Sequence, residues 1–229
     1  AGYTDNQIGL RVKVGQLHRI RRGAYCDGEL WRSLDELDQH RLLCRAVLRT
    51  AHPLTVLTHT SSAVERRFPV WGVDLDVVHT TRTDGKSGRH ERDWVQHRGQ
   101  LPDSQVEDVK DVRLSIPGRC AIEMTTVAEV EPALVTVNAI LHDGAATMEG
   151  LSKFAKDARY WPQSLTTDLV LRLSSPKIES VAETRTDYLC YMSGLPRPEP
   201  QVVVHDKEGK ELGRVDFLWA KYGVFLEFD

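Results

Sequence analysis

Val215-Asp216-Phe217-Leu218-Trp219, then Lys221-Tyr222-Gly223, then Val224-Phe225-Leu226-Glu227-Phe228-Asp229 form the carboxy-terminal stretch of the sequence. Both apolar runs read as strands, and the Gly223 step between them reads as a turn. Each run also carries acids among its apolar residues. A carboxylate in a buried strand is costly unless it is paired or metal-bound. The plainer account is that strands alternate faces, so that Asp216 and Glu227 point to solvent.

Working upstream, Gln201-Val202-Val203-Val204-His205 predicts a strand, and Lys207-Glu208-Gly209-Lys210 predicts the turn that joins it to the strand at 213–219. Residues 180–193 predict a helix. A helix followed by a strand meander is the element order of restriction-endonuclease-like cores. In that frame Glu183 on the helix and Asp216 and Glu227 on the strands are candidate catalytic residues, and Asp216, Glu227 and Asp229 are candidate metal ligands. Hard divalent cations take oxygen ligands, so the expected ion is Mg²⁺, which can activate water and neutralise a scissile phosphate. Glu183 has a competing explanation. Ser180-Val181-Ala182-Glu183 is a capping box, in which Glu183 would serve the helix terminus alone.

The amino-terminal residues point to a polyanion. Arg11, Lys13, Arg19, Arg21 and Arg22 face only Asp5 among the first 25 residues, although the whole chain has a net charge of −3. A basic arm on an acidic body meets nucleic acid first. Thr4 predicts the N-cap of a short helix that Gly15 ends. Gln16-Leu17-His18-Arg19-Ile20-Arg21-Arg22-Gly23 then alternates as a basic strand pair. Helix, tight turn and basic hairpin are the back half of a winged helix, with Tyr25 packing where the wing returns. Lys13, His18, Arg19, Arg21 and Arg22 are the candidate contacts to double-stranded DNA.

Between these ends, residues 33–50 predict an amphipathic helix capped by Ser33. Val56-Leu57, residues 73–79, residues 94–97 and residues 112–116 predict strands, with a loop or hairpin tip at 83–88. Residues 61–65 predict a helix. Residues 118–141 predict two helices split at Pro132, and helices follow near 147–158 and 165–173. The class is α+β or α/β in three parts: a partial winged helix over 1–30, a mixed α/β region over 31–173, and an incomplete nuclease-like core over 174–229.

Hydrophobic content of 41% and charged content of 28% are those of a soluble globular protein. No apolar run is long enough to span a membrane, and no secretory leader is legible. Cys26, Cys44, Cys120 and Cys190 are far apart and form no C-x-x-C pair, which fits a reducing cytoplasm. The nine histidines show no H-E-x-x-H. In Thr58-His59-Thr60-Ser61-Ser62 a helix N-cap by Thr60 or Ser61 outweighs a nucleophilic pair. The glycines at 85–88 do not make a phosphate loop.

Several stretches together carry a family resemblance. They are residues 15–25 (Gly-Gln-Leu-His-Arg-Ile-Arg-Arg-Gly-Ala-Tyr), Leu57-Thr-His-Thr-Ser-Ser-Ala63, Trp71-Gly72, Val78-His79, residues 98–102 and residues 115–119. Glu179-Ser-Val-Ala-Glu-Thr-Arg185, residues 194–198, Gln201, Val215-Asp216 and Glu227-Phe-Asp229 complete the set. The chain resembles actinobacterial proteins grouped with the AbiEi-type antitoxins of type IV toxin–antitoxin systems. The resemblance implies a DNA-binding winged helix, a cognate toxin partner, and a carboxy-terminal domain similar to very-short-patch-repair endonucleases. It departs from that pattern where Asp229 stands in the place of a lysine and where the first winged-helix elements would lie.

Overall fold

The structure, a computed structural model, describes residues 2–86 and 88–228. The chain is mixed α/β and packs as two compact units. The first runs up to Arg67 and resumes over Asp74–Ile116, and the second takes Phe68–Val73 and runs on from Pro117.

The first unit opens with α1 (Asp5–Lys13), which Thr4 caps through a reciprocal pair with Gln7. Gly15 at φ +76° ends the turn, and β1 (Leu17–Arg21) pairs antiparallel with β2 (Ala24–Asp27). Two helices follow, α2 (Gly28–Ser33) and α3 (Glu36–Leu48). The single helix expected from Ser33 is therefore corrected. Ser33 Oγ turns back to donate to the Leu30 carbonyl at 2.8 Å, whereas the Asp35 carboxylate accepts from Asp38 N at 2.7 Å and starts α3. Close packing sets the start of α2, since a Cβ on Gly28 would stand 2.0 Å from the Gly15 carbonyl oxygen.

A six-stranded mixed sheet fills the rest of this unit. Its strands are β3 (Thr55–Leu57), β4 (Val78–Arg82), β5 (Arg89–His90), β6 (Trp94–His97), β7 (Val106–Val109) and β8 (Val112–Ser115), with α4 (His59–Glu65) after β3. They lie in the order β5-β6-β4-β3-β8-β7. The β4–β6 and β3–β8 pairs are parallel, and the other pairs are antiparallel. The strand expected from Val73 begins only at Val78. Ahead of it the Asp74 side chain accepts from Asp76 N at 2.8 Å, a local turn that competes with the ladder. Leu43, Cys44 and Val47 of α3 pack on Leu57, Val78, Trp94, Val112 and Leu114 of the sheet, with Ile20 of β1 at the margin. Burial of this apolar cluster is what holds α3 and the hairpin to the sheet.

The second unit comprises α5 (Pro117–Met124), α6 (Val130–His142), α7 (Met148–Asp157), α8 (Thr167–Leu173) and α9 (Val181–Met192), then a meander of β9 (Glu199–His205), β10 (Glu211–Trp219) and β11 (Val224–Leu226). The helical break falls before Pro132, not at it. Thr125 and Thr126 hydroxyls bond back to the Ile122 and Glu123 carbonyls and end α5. Pro132 sits in the first turn of α6, where no intrahelical partner for its missing N–H is needed. The short segment Phe68–Val73 belongs here. The Pro69 carbonyl accepts from the Thr136 hydroxyl at 2.9 Å, and Arg185 of α9 lies 4.0 Å over the Trp71 ring. Asn138 ties α6 to α9 through the Thr184 hydroxyl at 3.1 Å and also holds Ser175 N at 2.9 Å.

Candidate functional site

In the second unit, α9 faces the start of the meander. Ser180 caps α9, its hydroxyl accepting from Glu183 N at 3.1 Å. The Glu183 side chain does not close the expected box on Ser180 N. Its Oε2 accepts from Glu179 N at 3.1 Å and from Gln201 Nε2 at 3.0 Å. The same Gln201 nitrogen donates to Asp216 Oδ1 at 2.9 Å. One carboxamide thus spans Glu183 and Asp216, and the two acids do converge. Asp216 Oδ2 accepts from Phe228 N at 2.8 Å, which holds the segment after β11 against β10.

Gln201 had no role in the sequence reading beyond that of a strand residue and part of the family pattern. It holds φ +55° inside β9, a left-handed value that a non-glycine residue adopts only when its surroundings enforce it. Its Oε1 is buried without a hydrogen-bond partner. A register irregularity between Glu211 and Gly213 brings it opposite Asp216, since the pairs on either side are Val215–Val202 and Phe217–Pro200. Without that bulge Pro200 would take its place. Glu183 is buried, at 4% exposure, while Asp216 and Gln201 are half-buried.

Glu227 is exposed at the first position past β11, and Asp229 lies outside the described residues. Among the described residues, no three His, Cys, Asp or Glu side chains gather as a metal-holding group. The carboxylate oxygens of Glu183 and Asp216 converge on the Gln201 amide nitrogen, and the amide oxygen lies at the other end of that group. Carboxylates and an amide oxygen are the ligand chemistry of a hard divalent cation, and the partnerless Oε1 is a donor with nothing to bind, so the residues present fit such an ion.

The basic hairpin divides into an inner and an outer part. Arg21 turns inward. It pairs with Glu91 at 2.7 Å and Asp93 at 3.4 Å, lies 5.6 Å over the Trp94 ring, and leaves only 10% of its side chain exposed. This corrects its expected place among outward-facing phosphate contacts. His18 stacks flat on Trp31, centroids 4.1 Å apart, and burial lowers its pKa. Lys13, Arg19 and Arg22 are exposed, and Tyr25 pairs with Arg19 across the hairpin.

The first unit also assembles histidines that show no sequence motif. His59 and His97 stack with centroids 3.8 Å apart, and His79 Nδ1 and His97 Nε2 share a 2.9 Å hydrogen bond. Burial, helped by neighbouring imidazoles, lowers His79 to about 3 and His97 to about 4. Below them the Ser61 hydroxyl meets His40 Nε2 at 3.0 Å and accepts from His79 N at 2.9 Å, while His40 Nδ1 donates to the Leu75 carbonyl at 2.7 Å. Ser61 and His40 are 0% and 1% exposed, so this pair is a buried staple with no room for a substrate. The expected N-cap at Thr60 or Ser61 is replaced by Thr58, whose side chain makes no capping bond.

No family model and no curated protein matches the chain. No helix among the described residues is long and apolar enough to cross a membrane.

Proposed function

We propose that the chain is a DNA-binding regulator of the antitoxin-like kind, acting in the cytoplasm. In this reading the α1–β1–β2 segment is a shortened winged helix, and the second unit is a nuclease-type fold. The observation that carries it is the β1–β2 hairpin, which presents Arg19 and Arg22 to solvent while the inward arginine is tied down, with Lys13 exposed at the end of α1. Exposed cations on a fixed hairpin are suited to duplex phosphates, and such contacts release counterions. A mobility-shift series on duplex DNA tests this. Binding should weaken steeply as salt rises, and Arg19→Ala with Arg22→Ala should flatten that dependence. Binding indifferent to salt would reject the phosphate-contact reading. The family resemblance adds a toxin as a protein partner, which a pull-down with a cognate toxin checks.

A second reading, a Mg²⁺-dependent DNA endonuclease of the very-short-patch-repair-like class, is favoured by the meeting of Glu183 and Asp216. Glu183, Asp216 and Gln201 would hold the ion, with Glu227 and Asp229 as the further acids of the sequence pattern. When bound, the ion would supply charge neutralisation at a phosphate and an activated water. Nicking of supercoiled DNA should fall at least a hundredfold in Asp216→Asn, on the order of a lost charge stabiliser. Undiminished nicking in that variant excludes this site.

A further inference from the structure

We infer that Gln201 is itself an oxygen donor of the cation site, turning its carboxamide so that Oε1, now idle, replaces Nε2 between Glu183 and Asp216. The inference rests on the reading that the second unit holds a divalent cation, and adds a ligand outside the acidic pattern.

Three observations carry it. The Gln201 amide nitrogen occupies the point nearest both carboxylates, 3.0 Å from Glu183 Oε2 and 2.9 Å from Asp216 Oδ1. An oxygen in that place would stand about 3 Å from each acid, the spacing of neighbouring oxygens around one octahedral ion, and the partly positive NH₂ is a neutral substitute for the ion's charge. Second, the opposite end of the same amide is buried and makes no bond, although buried polar atoms are nearly always satisfied. Third, the amide is symmetric in shape. Rotation about its last torsion exchanges nitrogen for oxygen and moves no other group. With no ion present, the oxygen cannot face two carboxylates without repulsion, so the nitrogen faces them. With an ion present, the preference inverts. The left-handed backbone at Gln201 and the bulge between Glu211 and Gly213 aim the side chain at the pair.

The test is titration of the full-length protein with Mn²⁺, followed by calorimetry and by the electron paramagnetic signal of free ion. Wild type should bind, and Asp216→Asn should lose binding. Gln201→Leu, which removes both donor and acceptor, should weaken binding at least tenfold. Gln201→Glu, which keeps an oxygen, should bind at least as tightly as wild type. Thermal unfolding in chelator establishes that each variant folds, and the glutamate variant carries the test if the leucine one does not. The side-chain amide proton resonances of Gln201 should shift on addition of Mg²⁺ as their carboxylate bonds are released. If wild type fails to bind, or Asp216→Asn binds equally, the cation reading itself falls. If wild type binds through Asp216 but Gln201→Leu binds as tightly or more so, or Gln201→Glu binds more weakly, Gln201 is a competitor for the acids and the inference is overturned.

Discussion

A buried imidazole has a free-energy cost that depends on pH, and the first unit holds several. His79 and His97 have folded-state pKa values of about 3 and about 4, below the ordinary 6.5, and burial also lowers His40. A group depressed in the folded state binds its proton preferentially in the unfolded one. Its contribution to stability is therefore complete above pH 6.5 and is lost as pH falls from there toward the folded values. The slope approaches about 1.4 kcal/mol per pH unit for each such histidine. Urea midpoints should accordingly drop between pH 7 and 4.5, and His97→Gln should make the drop shallower. A midpoint that stays level over that range would mean the rings take up protons without unfolding. None of this was legible in local sequence. Residues 59, 79 and 97 come from a helix start and two strands, and only the parallel register of β4 and β6 brings the last two together.

At the scale of elements, capping decides where α3 begins. Asp35→Ala should cost about 1 kcal/mol in urea unfolding, the usual loss for an N-cap side chain. Ser33→Ala should cost only a few tenths, as an exposed substitution away from any cap. Equal losses would mean that Asp35 is not the cap. Sequence periodicity located the longer helices and the carboxy-terminal hairpin, because a sustained apolar period and a glycine turn are local signals. The six-residue α2 was missed because Leu30 and Trp31 are its only large apolar residues. The two-residue β5 was missed because so short a strand has no period. Asp216 was legible as an acid in an otherwise apolar strand, and Glu183 as an acid on the helix ahead of the meander. Gln201 was not, because nothing in the local sequence marks a strand glutamine whose backbone turns left-handed and whose amide lies between two acids.

At the scale of the whole molecule, charge is uneven. The amino-terminal segment is basic and the chain as a whole carries −3, so the body must be more acidic than the total suggests. Acidic bodies repel DNA except where a basic patch is offered, which favours one docking orientation. If Lys13, Arg19 and Arg22 each hold one phosphate, the slope of log affinity against log salt should carry about −0.9 for each. Removing Arg19 and Arg22 should then reduce it by roughly 2, measured in the same gel series. The strand at 112–116 and the helices from 118 were legible on either side of Pro117, which opens α5. The reassignment of Phe68–Val73 was not, because Pro69, Trp71 and Gly72 show no period that would tell which core they join.

That six-residue excursion has a genetic consequence. Phe68–Val73 serves the second unit while the residues on both sides of it serve the first. No single break in the reading frame can therefore release both halves intact. A gene cut at codon 117 would strip the downstream product of the Pro69 carbonyl beneath Thr136 and the indole beneath Arg185. Recombination that swaps one half for a foreign counterpart must carry this loop along or rebuild its seat, so the two halves are expected to descend together and not to be shuffled as separate modules.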